Sequence, residues 1–417
     1  MHKIERLLQT LAPKGVEFKT LEEVFEIKNG YTPSKNNPEF WEKGTIPWFR
    51  MEDIRENGRI LKDSIQHITP KALKNKKLFP KNSIIISTTA TIGEHALLIV
   101  DSLANQQFTF LSKKANCNLA LDMKFFFYQC FLLGEWCKKN TNVSGFASVD
   151  MTAFKKYKFP IPPLEIQQEI VKILDAFTEL NTELNTELKA RKKQYEYYQN
   201  MLLDFKDINQ NHKDAKTYPK RLKTLLQTLA PKGVEFRKLG EVCDFQKGKS
   251  ITKKAVTFGK VPVISGGRQP AYYHNEANRS GETIAISSSG VYAGYVSYWD
   301  IPVFLADSFS VSPKQKTLMP KYLFHYLTTQ QNAIHATKST GGIPHVYSKD
   351  LQNFLIPIPP LEIQQEIVKI LDQFLALTTD LLAGIPAEIE ARKKQYEYYR
   401  EKLLAFKPLT PHKEVKK

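Results

Sequence analysis

The sequence contains the same run of 16 residues twice. PIPPLEIQQEIVKILD stands at Pro160–Asp175 and again, letter for letter, at Pro357–Asp372. Two further runs return in the same order, LLQTLAPKGVEF (Leu7–Phe18 and Leu225–Phe236) and ARKKQYEYY (Ala190–Tyr198 and Ala391–Tyr399). A solenoid needs at least three short repeats. The chain is therefore read as two copies of one unit of about 200 residues.

The repeated proline run opens a predicted long helix. Across residues 164–205, apolar or seam-type residues recur at alternating steps of four and three, with one extra step of four at Leu184–Leu188. This is a heptad pattern with a four-residue stutter. Pro162 and Pro163 stand just before it, where a helix start tolerates proline. Such a helix would span roughly 63 Å at about 1.5 Å per residue, so it needs a partner along its seam.

The second copy supplies such a partner, with a kink predicted at Gly384 and Pro386. We expect the two helices to pack antiparallel as a coiled coil; the alternative is that each packs on its own domain. In ARKKQYEYY the lysines either follow a polyanion or stay solvated beside packing tyrosines, and the seam favours packing. The residues expected to pack along the helices or against partner subunits are Leu164, Ile166, Ile170, Tyr195, Tyr198, Leu361, Ile363, Ile367, Tyr396 and Tyr399.

The regions between the repeated runs, 19–159 and 237–356, both read as mixed α and β. Short β-rich runs such as NSIIIST and ETIAISSS alternate with turns, and each region ends in a helical stretch, at 123–139 and at 321–336. Anchors such as KNG and QKG, or GTIPW and GKVPV, match between the copies, while most residues between them differ. One scaffold with different loop residues is what two readers of different targets would need.

Composition favours a polyanion as partner. Lysine and arginine number 60 against 43 acidic residues, a formal charge of +17, although a soluble protein that is merely basic is the alternative. The four cysteines lack zinc-site spacing and are too few for a disulfide framework, so we expect no metal site and a reducing, cytoplasmic compartment. The first residues lack the apolar core of a signal peptide, and no run approaches a membrane span.

Motifs of catalysis are absent from the sequence. It contains no N-P-P-Y or D-P-P-Y element of an amino-methyltransferase, no Gly-rich S-adenosylmethionine loop and no G-x-x-x-x-G-K-[ST] phosphate loop. It also contains no G-x-S-x-G and no convincing nuclease carboxylate cluster. We expect a chain without catalytic residues and without a cofactor of its own.

At this point the motifs match a known family. The chain resembles the specificity subunit of type I restriction–modification enzymes over essentially its whole length. The motifs that carry the resemblance are P-x-PP-L-x-x-Q-x-x-I in both copies, the turn at Gly30–Ser34, IPW at 46–48, ATIG at 90–93 and the double copy itself. The second copy departs from the pattern with KSIT at 249–252, where the first has YTPS.

The resemblance implies an α+β fold with a pseudo-two-fold, circular organisation, in which two mixed α/β target recognition domains are separated by two long antiparallel helices. It implies a first recognition domain at 1–159, a first spacer helix and linker at 160–217, a second recognition domain at 218–356, and a second spacer helix and tail at 357–417. Each domain would read one half of a split double-stranded DNA site. The partners implied are two methyltransferase subunits and restriction subunits, which would supply S-adenosylmethionine, ATP and Mg chemistry.

Candidate DNA contacts are chosen by residue type. Arginine suits guanine, asparagine and glutamine suit adenine, and lysine or hydroxyl side chains suit phosphates. The candidates are Lys28, Thr32, Ser34, Lys35, Arg50, Asn105, Gln106 and Gln107 in the first copy, and Lys247, Ser250, Thr252, Lys253, Arg268, Gln269, Tyr272 and Tyr273 in the second. Three other interpretations stay open: a nucleic-acid-binding scaffold that acts without methyltransferases, a coiled-coil tether whose heads bind protein, and a diverged enzyme.

Overall fold

The chain folds into two compact units, which we describe one at a time. A computed structural model describes residues 2–74, 77–142, 147–205, 218–339, 342–379 and 384–409. The first unit combines residues 1–182 with residues 391–417, and the second unit is continuous from 183 to 390. The predicted linker at 206–217 and most of the predicted tail, from residue 410, lie outside the described residues.

The first unit is built around a mixed sheet in the order β2-β9-β6-β7-β4 and a smaller sheet in the order β5-β3-β8. In the smaller sheet β3 runs parallel to β8 and antiparallel to β5. The strands of this unit are β1 (Glu17–Thr20), β2 (Phe25–Asn29), β3 (Ile46–Phe49), β4 (Ile60–Leu61), β5 (His67–Ile68), β6 (Ser83–Ser87), β7 (His95–Leu98), β8 (Leu103–Ala104), β9 (Phe108–Lys113), β10 (Thr141–Asn142), β11 (Ser148–Val149) and β12 (Lys158–Ile161).

The helices of the first unit begin at recognisable caps. Thr20 and Glu23 form a capping box at α2, and Asp122 accepts the backbone N–H groups of Lys124 and Phe125 at the start of α4. The α4 helix covers the predicted stretch 123–139. The helices are α1 (His2–Leu11), α2 (Leu21–Val24), α3 (Met51–Asn57), α4 (Met123–Lys139), α5 (Met151–Lys155) and the first part of α6 (Leu164–Leu203), with short 3₁₀ turns at Pro38–Phe40 and Pro70–Leu73.

The second unit repeats this plan with fewer strands. Its larger sheet has the order β14-β20-β17-β18, and its smaller sheet β16-β15-β19 again has one parallel and one antiparallel partner for the middle strand. The strands are β13 (Phe236–Lys238), β14 (Cys243–Lys247), β15 (Val261–Ile264), β16 (Tyr272–His274), β17 (Thr283–Ser287), β18 (Val296–Trp299), β19 (Phe304–Leu305), β20 (Ser308–Pro313) and β21 (Leu355–Pro357).

The helices of the second unit differ from the prediction at one place, because the predicted stretch 321–336 forms two helices. The second spacer helix is described as Leu361–Thr379 and Ile385–Leu404, and the kink predicted at Gly384 and Pro386 adjoins residues 380–383, which lie outside the described residues. The helices are α7 (Lys220–Leu229), α8 (Leu239–Val242), α9 (Pro320–Thr329), α10 (Gln331–Ala336), α11 (Ser348–Leu351), α12 (Leu361–Thr379) and α13 (Ile385–Leu404), with a 3₁₀ turn at Lys253–Ala255. No helix within the described ranges is long and apolar enough to cross a membrane.

The two long repeated helices contribute to both units. The α6 helix is continuous for 40 residues, and its residues after Thr182 belong to the second unit. The α13 helix begins in the second unit, and its residues from Ala391 belong to the first. In the first unit Tyr399 stacks on Phe177 of α6 with ring centroids 5.6 Å apart. In the second unit Tyr198 stacks in the same way on Phe374 of α12, at 5.1 Å.

A buried glutamine of the repeated proline run makes the same contacts in both copies. In the first unit the Gln167 side-chain amide donates to the carbonyls of Ala120 and Pro162, at 2.8 and 2.7 Å, and accepts from the backbone N–H of Asp122 at 2.8 Å. In the second unit Gln364 forms the same three bonds, 197 residues later, with Thr317, Pro359 and Met319. The amide is fully satisfied in each unit, so it fixes the start of the long helix against the loop that leads into α4 or α9.

Candidate nucleic-acid interface

In the first unit, backbone bonds fix the loop after β2 against the end of β8. The backbone N–H of Gly30 donates to Phe108 at 2.8 Å, and that of Tyr31 donates to Ala104, the last residue of β8, at 2.7 Å. A Cβ atom on Gly30 would lie only 2.1 Å from the carbonyl oxygen of Asn105. The position therefore requires glycine because the strand backbone passes too close for a side chain.

Two indole groups hold the next residues of this loop. Trp48 on β3 donates its Nε1–H to the carbonyl of Tyr31, and Trp41 donates to the carbonyl of Ser34, both at 2.9 Å. The two rings meet edge to face with centroids 4.9 Å apart. Trp48 is buried, so these rings serve as supports that leave Ser34 and Lys35 exposed.

A small pocket brings two of the predicted DNA contacts together. It has a volume of about 240 Å³ and is lined by Lys35, Trp41, Arg50 and Gln66. Arg50 follows β3, and its guanidinium carbon lies 5.9 Å from the ring centroid of Trp48. Gln66 was missed by the sequence analysis because nothing in its local pattern shows that β5 pairs with β3. The pocket combines two cations with an amide that can both donate and accept.

The candidates at 105–107 take different roles. Asn105 shapes the turn, because its Oδ1 accepts the backbone N–H of Gln107 at 3.2 Å. The Gln107 amide donates to Thr91 Oγ1 at 2.9 Å, which leaves it engaged within the protein. Gln106 is exposed and accepts a hydrogen bond from the hydroxyl of Thr32, so it lies beside the loop that follows β2. Lys28 is exposed at the end of β2 and pairs with Glu26 at 3.1 Å.

In the second unit the corresponding loop is fixed by the same kind of backbone bonds. Gly248 donates to Ser308 at 2.8 Å, and Lys249 donates to Leu305, the last residue of β19, at 2.9 Å. A Cβ atom on Gly248 would lie 2.5 Å from the Leu305 carbonyl oxygen. The supporting side chain is an arginine here: Arg279 donates to the carbonyl oxygens at the end of β14, both at 3.1 Å. Sequence reasoning did not select Arg279, because its role depends on a strand that is distant in the chain.

The exposed candidates of the second unit include a second arginine, which lies beside two tyrosine rings. Arg268 follows β15, and its guanidinium carbon lies 4.9 Å from the Tyr292 ring and 5.6 Å from the Tyr295 ring. Tyr272 and Tyr273 on β16 are 36% and 55% exposed. The other exposed candidates of this unit are Lys247, Ser250, Thr252, Lys253 and Gln269.

Sequence reasoning missed most of the aromatic surface of the second unit. Phe258 is 94% exposed, and Tyr292 and Tyr347 are 42% and 47% exposed. His335 lies near Arg268, and burial, together with the positive charges of Lys338 and Arg268, lowers the pKa of its imidazole. Exposed aromatic rings that lie beside cations can stack on bases or insert between them. The signal that could have found these residues is their exposure, which the sequence does not contain.

The residues predicted to pack along the helices differ in how deeply they are buried. The four isoleucines are at most 1% exposed and lie in the cores of their units (Ile166, Ile170, Ile363 and Ile367). The four tyrosines are partly buried and pack against the same cores (Tyr195, Tyr198, Tyr396 and Tyr399). The Tyr195 hydroxyl also shares a hydrogen bond with His325 at 3.2 Å. Leu164 and Leu361, the first residues of α6 and α12, are each 36% exposed.

Comparison with known proteins assigns the family. The model of the family described as "Type I restriction modification DNA specificity domain" matches residues 13–194 and again residues 231–391. The chain is 40% identical to the type I restriction enzyme EcoprrI specificity subunit of Escherichia coli, over 91% of this chain and 93% of that protein. It is 33% identical to the EcoR124I/EcoR124II specificity subunit of Escherichia coli, over 65% of this chain and 70% of that protein.

Solved structures agree in fold. The specificity subunit of a type I restriction–modification system from M. genitalium superposes with a TM-score of 0.58 at 20% identity, over 94% of this chain and 96% of that one. A chain from a study of complex assembly in the type I restriction–modification system superposes with a TM-score of 0.59 at 20% identity, over 94% and 98%. The sequence matches cover both copies and most of the chain. The protein belongs to the family of type I restriction–modification DNA specificity subunits.

Proposed function

We propose that each unit reads one half of an asymmetric, bipartite site in double-stranded DNA. The observation that carries this proposal is that the two units share one scaffold and differ in what they expose. Both fix a glycine loop to the end of a parallel strand and carry an arginine after the middle strand of the small sheet, directly after β3 in the first unit (Arg50) and four residues after β15 in the second (Arg268). Around that arginine the first unit presents lysine and glutamine, and the second presents tyrosines. Two different surfaces on one scaffold suit two different half-sites.

Readout in each unit centres on the arginine. Arginine bonds to O6 and N7 of guanine in the major groove, and a good pair of this kind discriminates by about 1–3 kcal/mol. Both arginines, Arg50 and Arg268, lie over aromatic rings, which orients the guanidinium before DNA arrives. In this proposal Gln106 would read adenine in the first half-site, and the exposed side chains of Lys35, Lys247 and Lys253 would hold phosphates.

We propose that the long repeated helices set the distance between the half-sites. The α6 helix is continuous through the tetrapeptide repeat at Thr178–Leu188. Removing one repeat, at 182–185, shortens a helix by about 6 Å, which corresponds to about one or two base pairs of duplex DNA. Methylated-site mapping of that deletion variant tests this part, and an unchanged gap between the half-sites would refute it.

The chemistry is expected to come from partner subunits. Two methyltransferase subunits would bind S-adenosylmethionine and modify adenine, and restriction subunits would use ATP and Mg for cleavage. The repeated block supports a docking role, because one of its tyrosines is left 60% exposed in the first copy (Tyr197) and 59% exposed in the second (Tyr398). Equivalent exposed rings in two copies suit two copies of one partner.

Mapping of modified adenines tests the whole proposal. Genomes are sequenced for modified bases in cells that carry the gene and in cells that lack it. We expect one split motif to lose its methylation when the gene is deleted and to regain it on complementation. Co-purification with a methyltransferase separates this proposal from a nucleic-acid-binding protein that acts without partners. Methylation by the purified chain alone would contradict it.

A further inference from the structure

The two copies of the tyrosine block are identical through nine residues and then diverge at a position that is buried in the first copy and half-buried in the second. After ARKKQYEYY the first copy continues with Gln199 and the second with Arg400. Gln199 is 7% exposed. Gln199 lies in α6 and packs against α9 of the second unit. Arg400 lies in α13 and packs against α4 of the first unit.

In the second unit Gln199 meets a polar site on α9. Its side-chain N–H groups donate to the carbonyl of His325 at 3.1 Å and to Thr328 Oγ1 at 3.0 Å. They also approach the hydroxyl of Tyr195 at 3.2 Å. The three acceptors are uncharged, so an arginine here would be longer and would place its charge among groups that carry no formal charge. The carboxylate of this network, Asp372, is already bonded to His325 and Lys321.

In the first unit Arg400 meets an aromatic site on α4. Its guanidinium carbon lies 4.4 Å from the Phe131 ring centroid and 5.3 Å from that of Tyr396. The Nε atom is buried without a hydrogen-bond partner among the described residues. A cation held over a ring is a contact that glutamine cannot reproduce.

The two sites are equivalent positions of the two copies. The glutamine bonds that start the long helices are 197 residues apart, and Phe131 and Thr328 differ by the same number along α4 and α9. The copies also differ at the next two positions, and the second of these again differs in burial: Met201 is 5% exposed in the core of the second unit, and Lys402 is exposed. A lysine in place of Met201 would bury its charge in an apolar core.

We infer that the contacts Gln199–Thr328 and Arg400–Phe131 decide which domain accepts which copy of the tyrosine block. Both units present the same buried glutamine at the start of the long helix and one equivalent tyrosine stack, so these contacts alone do not discriminate between the copies. Gln199 suits the polar site of the second unit, and Arg400 suits the aromatic site of the first. Each copy of the block is therefore stabilised on its own unit and destabilised on the other, in the way that single polar residues specify partners in helix pairs. The inference does not depend on what the two units bind.

Coupled substitutions in the full chain test this inference. Arg400→Gln is expected to lower the thermal midpoint of unfolding by roughly 3–5 °C, because the cation over the ring is lost. In a Phe131→Thr background, Arg400→Gln is expected to lower the thermal midpoint by at most half as much. The reason is that glutamine at 400 and threonine at 131 would reproduce the polar contact that Gln199 makes with Thr328 in the second unit. The reciprocal arm compares Gln199→Arg alone and in a Thr328→Phe background, with the same expectation.

The first arm introduces no larger side chain, so it tests the inference even if Thr328→Phe prevents folding. The matched control exchanges the next divergent pair, Asn200→Glu with Glu401→Asn, which is exposed in both copies and is expected to leave the midpoint unchanged. The inference is overturned if Arg400→Gln costs the same in both backgrounds. It is equally overturned if the non-cognate Thr328→Phe reduces that cost as much as Phe131→Thr does.

Discussion

The loops that carry the candidate DNA contacts are fixed by the same backbone bonds in the two units and by different side chains. In both, a glycine passes beneath a carbonyl of the neighbouring strand, and the next backbone N–H bonds to the last residue of a short parallel strand. The first unit then adds two indoles, whereas the second adds Arg279. The position of the loop is therefore set by the backbone, and side chains around it are free to diverge as long as the carbonyls receive donors.

The exposed surfaces differ more than their supports do. The first unit gathers Lys35, Arg50 and Gln66 around a small polar pocket. The second unit exposes rings, of which Phe258 and Tyr273 are among the most accessible. Hydrogen-bonding groups read base edges, while exposed rings stack on bases or insert between them. We therefore expect the balance between hydrogen bonds to base edges and ring stacking or insertion to differ between the two half-sites.

The largest expected effect comes from the glycine that both units share. Gly30→Val places a side chain into the Asn105 carbonyl, and Gly248→Val does the same at Leu305. We expect either change to cost about 3 kcal/mol or more in loop placement, which corresponds to at least a 100-fold loss of duplex affinity. Gly267→Ala is the stability control, since its nearest neighbours lie at ordinary contact distance, 3.5 Å. Duplex affinity unchanged by both valine variants would show that the loops do not shape the interface.

The second expected effect is a pH dependence of stability that is present in the first unit and not matched at the corresponding position of the second. His95 on β7 is buried, and burial, assisted by the nearby positive charge of Arg59, lowers its pKa to about 3. The corresponding residue of β18, opposite the same position of the central strand, is Val296. Between the unfolded pKa of about 6.5 and the folded value the unfolded chain binds the extra proton, so stability is fully present above pH 6.5 and is lost as the pH falls toward 3.

We therefore expect the first unit to lose about 2 kcal/mol of its free energy of unfolding between about pH 7.5 and about pH 5 through this histidine. His95→Val makes the first unit resemble the second at this position and is expected to flatten that dependence. Thermal unfolding of both proteins across this pH range is the measurement. Parallel pH profiles for wild type and variant would remove His95 as the cause.

The sequence predicted the repeated parts of this fold better than the site. The duplicated runs located the long helix at Leu164–Leu203 to within two residues of its predicted end, because heptad spacing is a local pattern. The stretch 321–336 was not divided into two helices, since the break at Gln330 has no glycine or proline signal. Arg50 and Lys35 were chosen by residue type and line one pocket, whereas the role of Arg279 depends on strand pairing that no local pattern encodes.

A third, smaller effect concerns the indole supports of the loop in the first unit. Trp41→Phe keeps the ring beside Trp48 and removes the hydrogen bond to the Ser34 carbonyl. Losing one such bond costs about 1 kcal/mol, so we expect roughly fivefold weaker duplex binding and little change in the thermal midpoint. Trp299→Phe is the matched control, because that indole bonds to a serine within β18 and not to a reading loop. Equal losses from the two variants would mean that the effect is not specific to the loop.

The smallest expected effect tests the tyrosine support of Arg268 in the second unit, where the first unit uses Trp48 beside its arginine. Tyr292→Leu removes the ring beneath Arg268 and leaves the partner ring of Tyr295 in place. A cation–π contact at an exposed site contributes about 0.5–1 kcal/mol, so duplex affinity is expected to fall roughly two- to fivefold. The salt dependence of binding is expected to stay the same, because no phosphate contact is removed. Tyr292→Phe keeps the ring face and is expected to bind as the wild type does; if it binds as weakly as Tyr292→Leu, then the hydroxyl, and not the orientation of Arg268, is what the second unit uses.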